Sequence, residues 1–170
     1  ELRDWARQHG LASGGHLDNE DDTFAPVSRG FGSVMRSLRA MDVPGVDVIW
    51  RQIWPGQENH HFPKFASSAA HQNGTALALT ESFGVYGNGL TPAQMKWLVD
   101  YQYVRGLTLL VCGVYPLSTG DHLMLGERPH FGPVNPLWDF LPDFHRYVAR
   151  VGYLLSCGKP AIDIGLYYPV

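Results

Sequence analysis

The sequence predicts an α/β protein built on a parallel sheet. Three observations carry that expectation. Helix-compatible and strand-compatible segments alternate along the 170 residues. The strand candidates are continuous apolar runs, such as "LTLLVCGVY" (107–115), the pattern of strands buried on both faces. The long loops follow strand C-termini and collect acids and aromatics there, as on the active face of a TIM barrel. An open doubly wound sheet shares the alternation. No GxGxxG or GxxxxGK(S/T) follows a strand, so nucleotide-binding sheets lose weight.

Each element has a local reason. "ELRDWARQH" is helix-compatible, with Leu2, Trp5 and Ala6 apolar and Gly10 as its stop. "LASGGHL" reads as a short strand running into the acidic cluster Asp18 to Asp22. "GSVMRSLRAMDVPG" is a second helix closed by Pro44 and Gly45, and "VDVIW" (46–50) a β-branched strand. The polar stretch 51–63 follows as a long functional loop. "KFASSAAHQNG" is read as a short strand and a helix ending at Asn73-Gly74, and "TALALTES" as a strand. The clearest helix is "TPAQMKWLVDYQYVRG". Thr91 is its N-cap, Pro92 its N1, Gln94 its capping-box partner and Gly106 its stop. Met95, Leu98, Val99 and Tyr103 form one apolar stripe on it. Residues 116–136 are a Pro/Gly/His-rich loop. A helix over 136–158, broken near Pro142, and a final strand "AIDIGLYYP" complete the chain.

The bulk composition excludes some partners. Thirteen basic and 16 acidic residues give a net charge of −3, with no electrostatic footprint for nucleic acid or an anionic membrane. No apolar run approaches the roughly 20 residues of a membrane helix. Aromatics at 12% with charge at only 17% suit a large core and sugar-stacking clefts alike. Cys112 and Cys157 show no disulfide framework, and Cys112 reads as a buried free thiol. The first and last residues read as the interior of a longer polypeptide, which would make the rest of that polypeptide a partner.

The chemistry-bearing residues gather after strands. Glu20 and Glu81 each follow a strand, and two carboxylates across a barrel mouth can hydrolyse a glycosidic bond. One must be protonated for the leaving oxygen, the other ionised to attack the anomeric carbon or activate water. Asp47 within its strand needs a partner or a role, such as a sugar hydroxyl or an arginine. Trp50, Trp54 and Tyr86 are flat surfaces for sugar rings, with the core as the alternative for the two tryptophans. His16, His61 and His71 are read as substrate hydrogen-bonding groups, with loop packing as the bland alternative. No HExxH marks zinc and no GxSxG marks a serine nucleophile. No resident cofactor is expected, although Asp18, Asp21 and Asp22 could take calcium without the EF-hand spacing. Two other classes stay open: a non-catalytic carbohydrate-binding barrel, and a metal-dependent α/β hydrolase using the loop histidines.

The segments "GGHLDNED", "VMRSLRAMDVPGVDVIW", "HFPKFASSAAHQNG", "TESFGVYGNGLTPAQMKWLVDYQYVRG", "GERPHFGP" and "YLLSCGKPAIDIGLYYP" resemble large bacterial glycoside hydrolases. These are the α-L-rhamnosidase-like enzymes and the β-galactosidase-type clan A barrels. The resemblance implies the C-terminal part, about strands four to eight, of a (β/α)8 TIM barrel over 1–158. Residues 159–170 would then start a following β-containing domain. It implies an oligosaccharide or glycoside substrate and a secreted or periplasmic location. With "KFASS" counted as strand six, Asn19-Glu20 follows strand four as the acid/base and Glu81 follows strand seven as the nucleophile. The rhamnosidases of this kind invert and are thought to use calcium, so Glu81 would act there as a base instead.

Overall fold

A computed structural model describes residues 1–19, 21, 32–57, 60–117 and 128–168. Helix α1 (Leu2–Gln8) carries Asp4 in its first turn and Arg7 in its last, complementing the helix dipole. Gly10, at φ 69°, turns the chain out of it. Strand β1 (Gly14–Gly15) is only two residues long. Helix α2 (Val34–Leu38) is capped by Ser33, whose side chain accepts from the Arg36 amide. Strand β2 (Val43–Val48) leads into the loop before helix α3 (Pro63–Gln72). Strand β3 (Leu79–Ser82), helix α4 (Pro92–Tyr103), strand β4 (Leu109–Cys112) and helix α5 (Leu141–Ser156) follow.

The four strands form one parallel sheet in the order β1-β2-β3-β4. Strand order following chain order, with helices between, is compatible with part of a (β/α)8 barrel. Side chains alternate across the sheet. Val46, Val48, Thr80 and Ser82 turn to the helices and are buried. Register places Asp47 beside Glu81 and Glu81 beside Val111 on the opposite, inner face.

The helix-side core is close-packed. Ala66 and Ala70 of α3 are fully buried, and their small side chains let the helix lie close to β2. Leu98 and Val99 of α4 bury the predicted stripe, together with Met95 and Tyr103. The α4 capping box is complete: Gln94 N donates to Thr91 Oγ1 and Thr91 N to Gln94 Oε1. Helix α5 approaches the start of β4 so closely that a Cβ on Gly152 would lie 2.6 Å from the Thr108 carbonyl oxygen. The Tyr103 hydroxyl donates to the Val148 carbonyl at 2.7 Å, which ties α4 to α5.

One buried polar network crosses from sheet to helix. Thr80 Oγ1 donates to Gln102 Oε1 at 2.6 Å, and Ser82 Oγ donates to the same oxygen at 3.2 Å. Gln102 Nε2 donates to the Leu98 carbonyl at 3.1 Å. At the other end of the sheet, Asp42 accepts from Ser13 N (2.9 Å), Ser13 Oγ (3.0 Å) and Arg7 Nε (2.8 Å). That clamp joins α1, β1 and β2 through a single carboxylate.

Several expectations are corrected. The short strand in "KFASS" is helix, part of α3 from Pro63 onward. Proline at the first helical position and the Ser/Ala run after it favour that outcome. The sheet therefore has four strands among the described residues, not five. "AIDIGLYYP" forms no strand over its described residues, because no neighbouring strand pairs with it. Pro142 starts α5 rather than breaking it, after a 3-10 turn at Trp138–Phe140. β4 is not buried on both faces: Leu109 is 41% and Val111 52% exposed on the inner face. Among the described residues no helix is long and apolar enough to cross a membrane.

Replacing Gln102 with leucine removes the acceptor for two buried hydroxyls. Chemical denaturation should show a loss of about 2–3 kcal/mol, whereas an exposed control substitution stays within about 0.5 kcal/mol. The Ser13 amide, followed by Arg7, holds the Asp42 carboxyl below its ordinary value of 3.8. The stability it contributes is present above that value and lost as pH falls through the lowered one. Asp42→Asn should flatten this acid limb in pH-dependent unfolding, and an unchanged limb would remove Asp42 from it.

Candidate active site

The inner face of the sheet brings three functional side chains together. His16 follows β1, Asp47 lies near the end of β2, and Glu81 lies near the end of β3. One ligand atom from each lies within 4.8 Å of the others. His16 Nδ1 donates to the Leu17 carbonyl at 3.2 Å, which orients the ring. Its Nε2 lies 3.3 Å from Glu81 Oε2. All three residues are half-buried. The set can move a proton, bind hydroxyl groups or take a cation, which would meet one nitrogen and two carboxylate oxygens.

The floor beneath these groups is shaped by Gly45. A Cβ there would lie 2.4 Å from Leu79 Cδ1 and 2.6 Å from the Gly15 carbonyl oxygen. The Leu79 side chain crosses the space that Gly45 leaves empty, one layer below Asp47 and Glu81.

The loops after β2 and β3 are joined to each other. Phe83 N donates to the Val48 carbonyl (3.1 Å) and Trp50 N to the Gly84 carbonyl (3.0 Å). Arg51 Nε donates to the Tyr86 carbonyl at 3.1 Å, and the Tyr86 hydroxyl to the Ile53 carbonyl at 2.9 Å. Trp50, Arg51, Phe83 and Val85 all hold φ between 55° and 80°. That conformation costs an L-residue about 1–2 kcal/mol. Backbone held this way is concentrated beside functional groups, and here it brackets Asp47 and Glu81.

The other residues singled out in the sequence fall elsewhere. Glu20 and Asp22 lie outside the described residues. Asn19, at φ 57°, is half-buried in the turn after His16, near Asp18 and Asp21. Tyr86 is 1% exposed and belongs to the core, so it offers no face to a sugar. Burial pushes its phenol well above the ordinary range. Trp54 is half-buried, with the Arg51 guanidinium 4.9 Å over its ring and Tyr86 6.0 Å away. Trp50, at 66% exposure, is the open indole of the set. His61 is exposed ahead of α3. His71 sits in the last turn of α3 and lines a cavity with Ala76, Gly106 and Thr108, at the N-terminal ends of β3 and β4. It is therefore remote from Glu81. Burial first, and then Lys64, lowers its pKa. Arg51 has no signature in the sequence beyond directly following a strand.

A separate cavity of about 520 Å³ lies on the helix side of β4, lined by Cys112, Tyr115, Phe131, Trp138, Leu141 and His145 among others. Cys112 shares the face of Ser82 and not that of Glu81. Burial pushes its thiol up to about 12.

Fold and site together define an α/β protein with a carboxylate-and-imidazole centre at the C-terminal end of a parallel sheet. No protein-family model matches the chain. The chain is similar to a Formosa agariphila protein named "Putative beta-glucuronidase", at 31% identity over 126 residues. The match covers 69% of this chain and 11% of that protein's length, so the chain spans about a tenth of its relative.

The two thiols should differ sharply toward iodoacetamide. At pH 8, Cys157, which is exposed, should be alkylated and Cys112 protected, as read by peptide mass spectrometry. Equal labelling in the folded protein would contradict the shielding of the half-buried Cys112 thiol.

Proposed function

We propose that the chain carries part of the catalytic barrel of a glycoside hydrolase, with Glu81 as an essential carboxylate. The observation that carries the reading is the meeting of Glu81, Asp47 and His16 at the strand ends. The glycosidase name of the Formosa agariphila relative supports it and supports a glycoside as substrate. The α-L-rhamnosidase-like affiliation rests on the sequence motifs alone.

Hydrolysis needs a protonated group for the departing oxygen and an ionised one for the anomeric carbon or for water. Glu81 is the nucleophile or base. Glu20 is the acid/base by the family resemblance. Its place after strand four requires a strand at "KFASS", which is helix. If β4 is strand eight, β1 becomes strand five and Glu20 follows that strand. Asp47 is then a second carboxylate for the acid's role, because register holds it beside Glu81. Trp50 is the exposed aromatic face for a sugar ring, and His16 orients Glu81 or donates to substrate.

Glu81→Gln in the full-length enzyme should lower kcat by at least about a thousandfold with folding intact, a loss typical for a group acting in the transition state. Retained turnover would remove Glu81 from the chemistry and favour a carbohydrate-binding barrel. Glu20→Gln and Asp47→Asn separate the two acids. The acid's variant should recover most on aryl glycosides whose leaving group needs no proton. NMR of the first-formed anomer then assigns Glu81 as nucleophile for retention or as base for inversion.

A further inference from the structure

We propose that Arg51 binds an anionic group on the sugar, a uronate carboxylate or a sulfate ester. This rests on Glu81 belonging to a glycoside-hydrolysing site. Arg51 stands at the turn directly after β2, four residues beyond Asp47. Two successive left-handed residues, Trp50 (φ 55°) and Arg51 (φ 56°), turn the chain back onto the loop that follows Glu81. A surface arginine with no task needs no such backbone.

The guanidinium is anchored but not consumed. Its Nε donates to the Tyr86 carbonyl at 3.1 Å and its carbon lies 4.9 Å over the Trp54 ring. Tyr86 beneath it is immobilised by burial and by its hydrogen bond to Ile53. Gly87, at φ 90°, passes close by: a Cβ there would lie 3.7 Å from Arg51 Nη2. Of five N–H donors, one has a partner among the described residues. Among the described residues no carboxylate lies within ion-pair distance of Arg51. The side chain is exposed. A planar fork held at its stem, with both terminal nitrogens available, matches a two-oxygen anion.

Electrostatics give the arrangement its reason. The ionised Glu81 carboxylate repels an anionic sugar. A cation on the loop that follows β2 offsets that repulsion. Neutral sugars have no such need, and hydroxyl groups alone would be served by an amide side chain.

The test compares kcat/KM of the full-length enzyme on 4-nitrophenyl glycosides that are neutral, carry a uronate carboxylate, or carry a 6-sulfate. One of the two anionic classes should be preferred, and which one identifies the anion. In Arg51→Gln the anionic-to-neutral ratio should fall about 10- to 100-fold through KM, as expected for loss of a charged hydrogen-bonded contact. Arg51→Lys should retain part of that ratio. A preference for neutral glycosides in the unaltered enzyme, or an equal fall on both classes in Arg51→Gln, overturns the proposal. If no glycoside is turned over, the hydrolase reading fails. Binding of glucuronate and glucose 6-sulfate, measured by titration calorimetry, then decides this one. Arg51-dependent binding of either supports it, and binding of neither, or binding unaltered in Arg51→Gln, overturns it.

Discussion

The orientation of β3 rests on a hydrogen-bonded knot hidden on the helix side of the sheet. Thr80 and Ser82 both donate to Gln102, a residue of α4 with almost no exposure. Side chains on a strand alternate, so holding Thr80 and Ser82 toward the helix holds Glu81 toward the opposite face. A one-residue slip would bury the carboxylate against Leu98 and Val99 and bring two hydroxyls to the inner face. Hydrophobic packing alone would not resist that slip as strongly, because Thr and Ser have little apolar surface to lose. Unsatisfied polar atoms in a dry core do resist it. The acid on the inner face is thus positioned by polar groups that never meet solvent.

The two ends of the sheet are built differently. At the N-terminal ends, one carboxylate, Asp42, collects donors from Ser13 and Arg7 in ordinary geometry. At the C-terminal ends of β2 and β3, four non-glycine residues sit in left-handed backbone and the loops bond to one another. The buried Tyr86, tied to Ile53, supplies the packing that keeps those conformations occupied. Stability is concentrated at one end of the strands and shape at the other, which is the division expected when chemistry is confined to a single rim.

Much of this organisation is legible in the sequence where the signals are local. Thr91, Pro92, Gln94 and Gly106 delimit α4 because caps and stops act within a few residues. The apolar runs locate β2, β3 and β4, and Glu81 falls at the strand end as its neighbours indicate. Non-local features are hidden. Tyr86 sits among glycines in a loop and reads as a surface for a sugar ring, yet folding turns it into the core. Arg51 acquires significance only when its turn folds back on the Tyr86 carbonyl. The residues 161–168 have strand-like composition without a strand, because a ladder needs a partner and composition supplies none. Helix α3 is the instructive case: "KFASS" is too short to carry a clear period, and Pro63 with the Ser/Ala run makes it helix.

The Gly45–Leu79 contact carries a consequence for how descendants of this sequence can vary. Two residues close off the space at position 45, through atoms of different kinds. Leu79 Cδ1 belongs to a side chain that substitution can shorten, whereas the Gly15 oxygen belongs to the main chain and persists whatever residue is inherited. Exchange between the two positions is therefore one-directional. Leucine 79 can drift to a smaller residue without any change at 45, but no reduction at 79 opens position 45 to a side chain. Lineages should accumulate variation on the leucine side of this pair while the glycine stays constant.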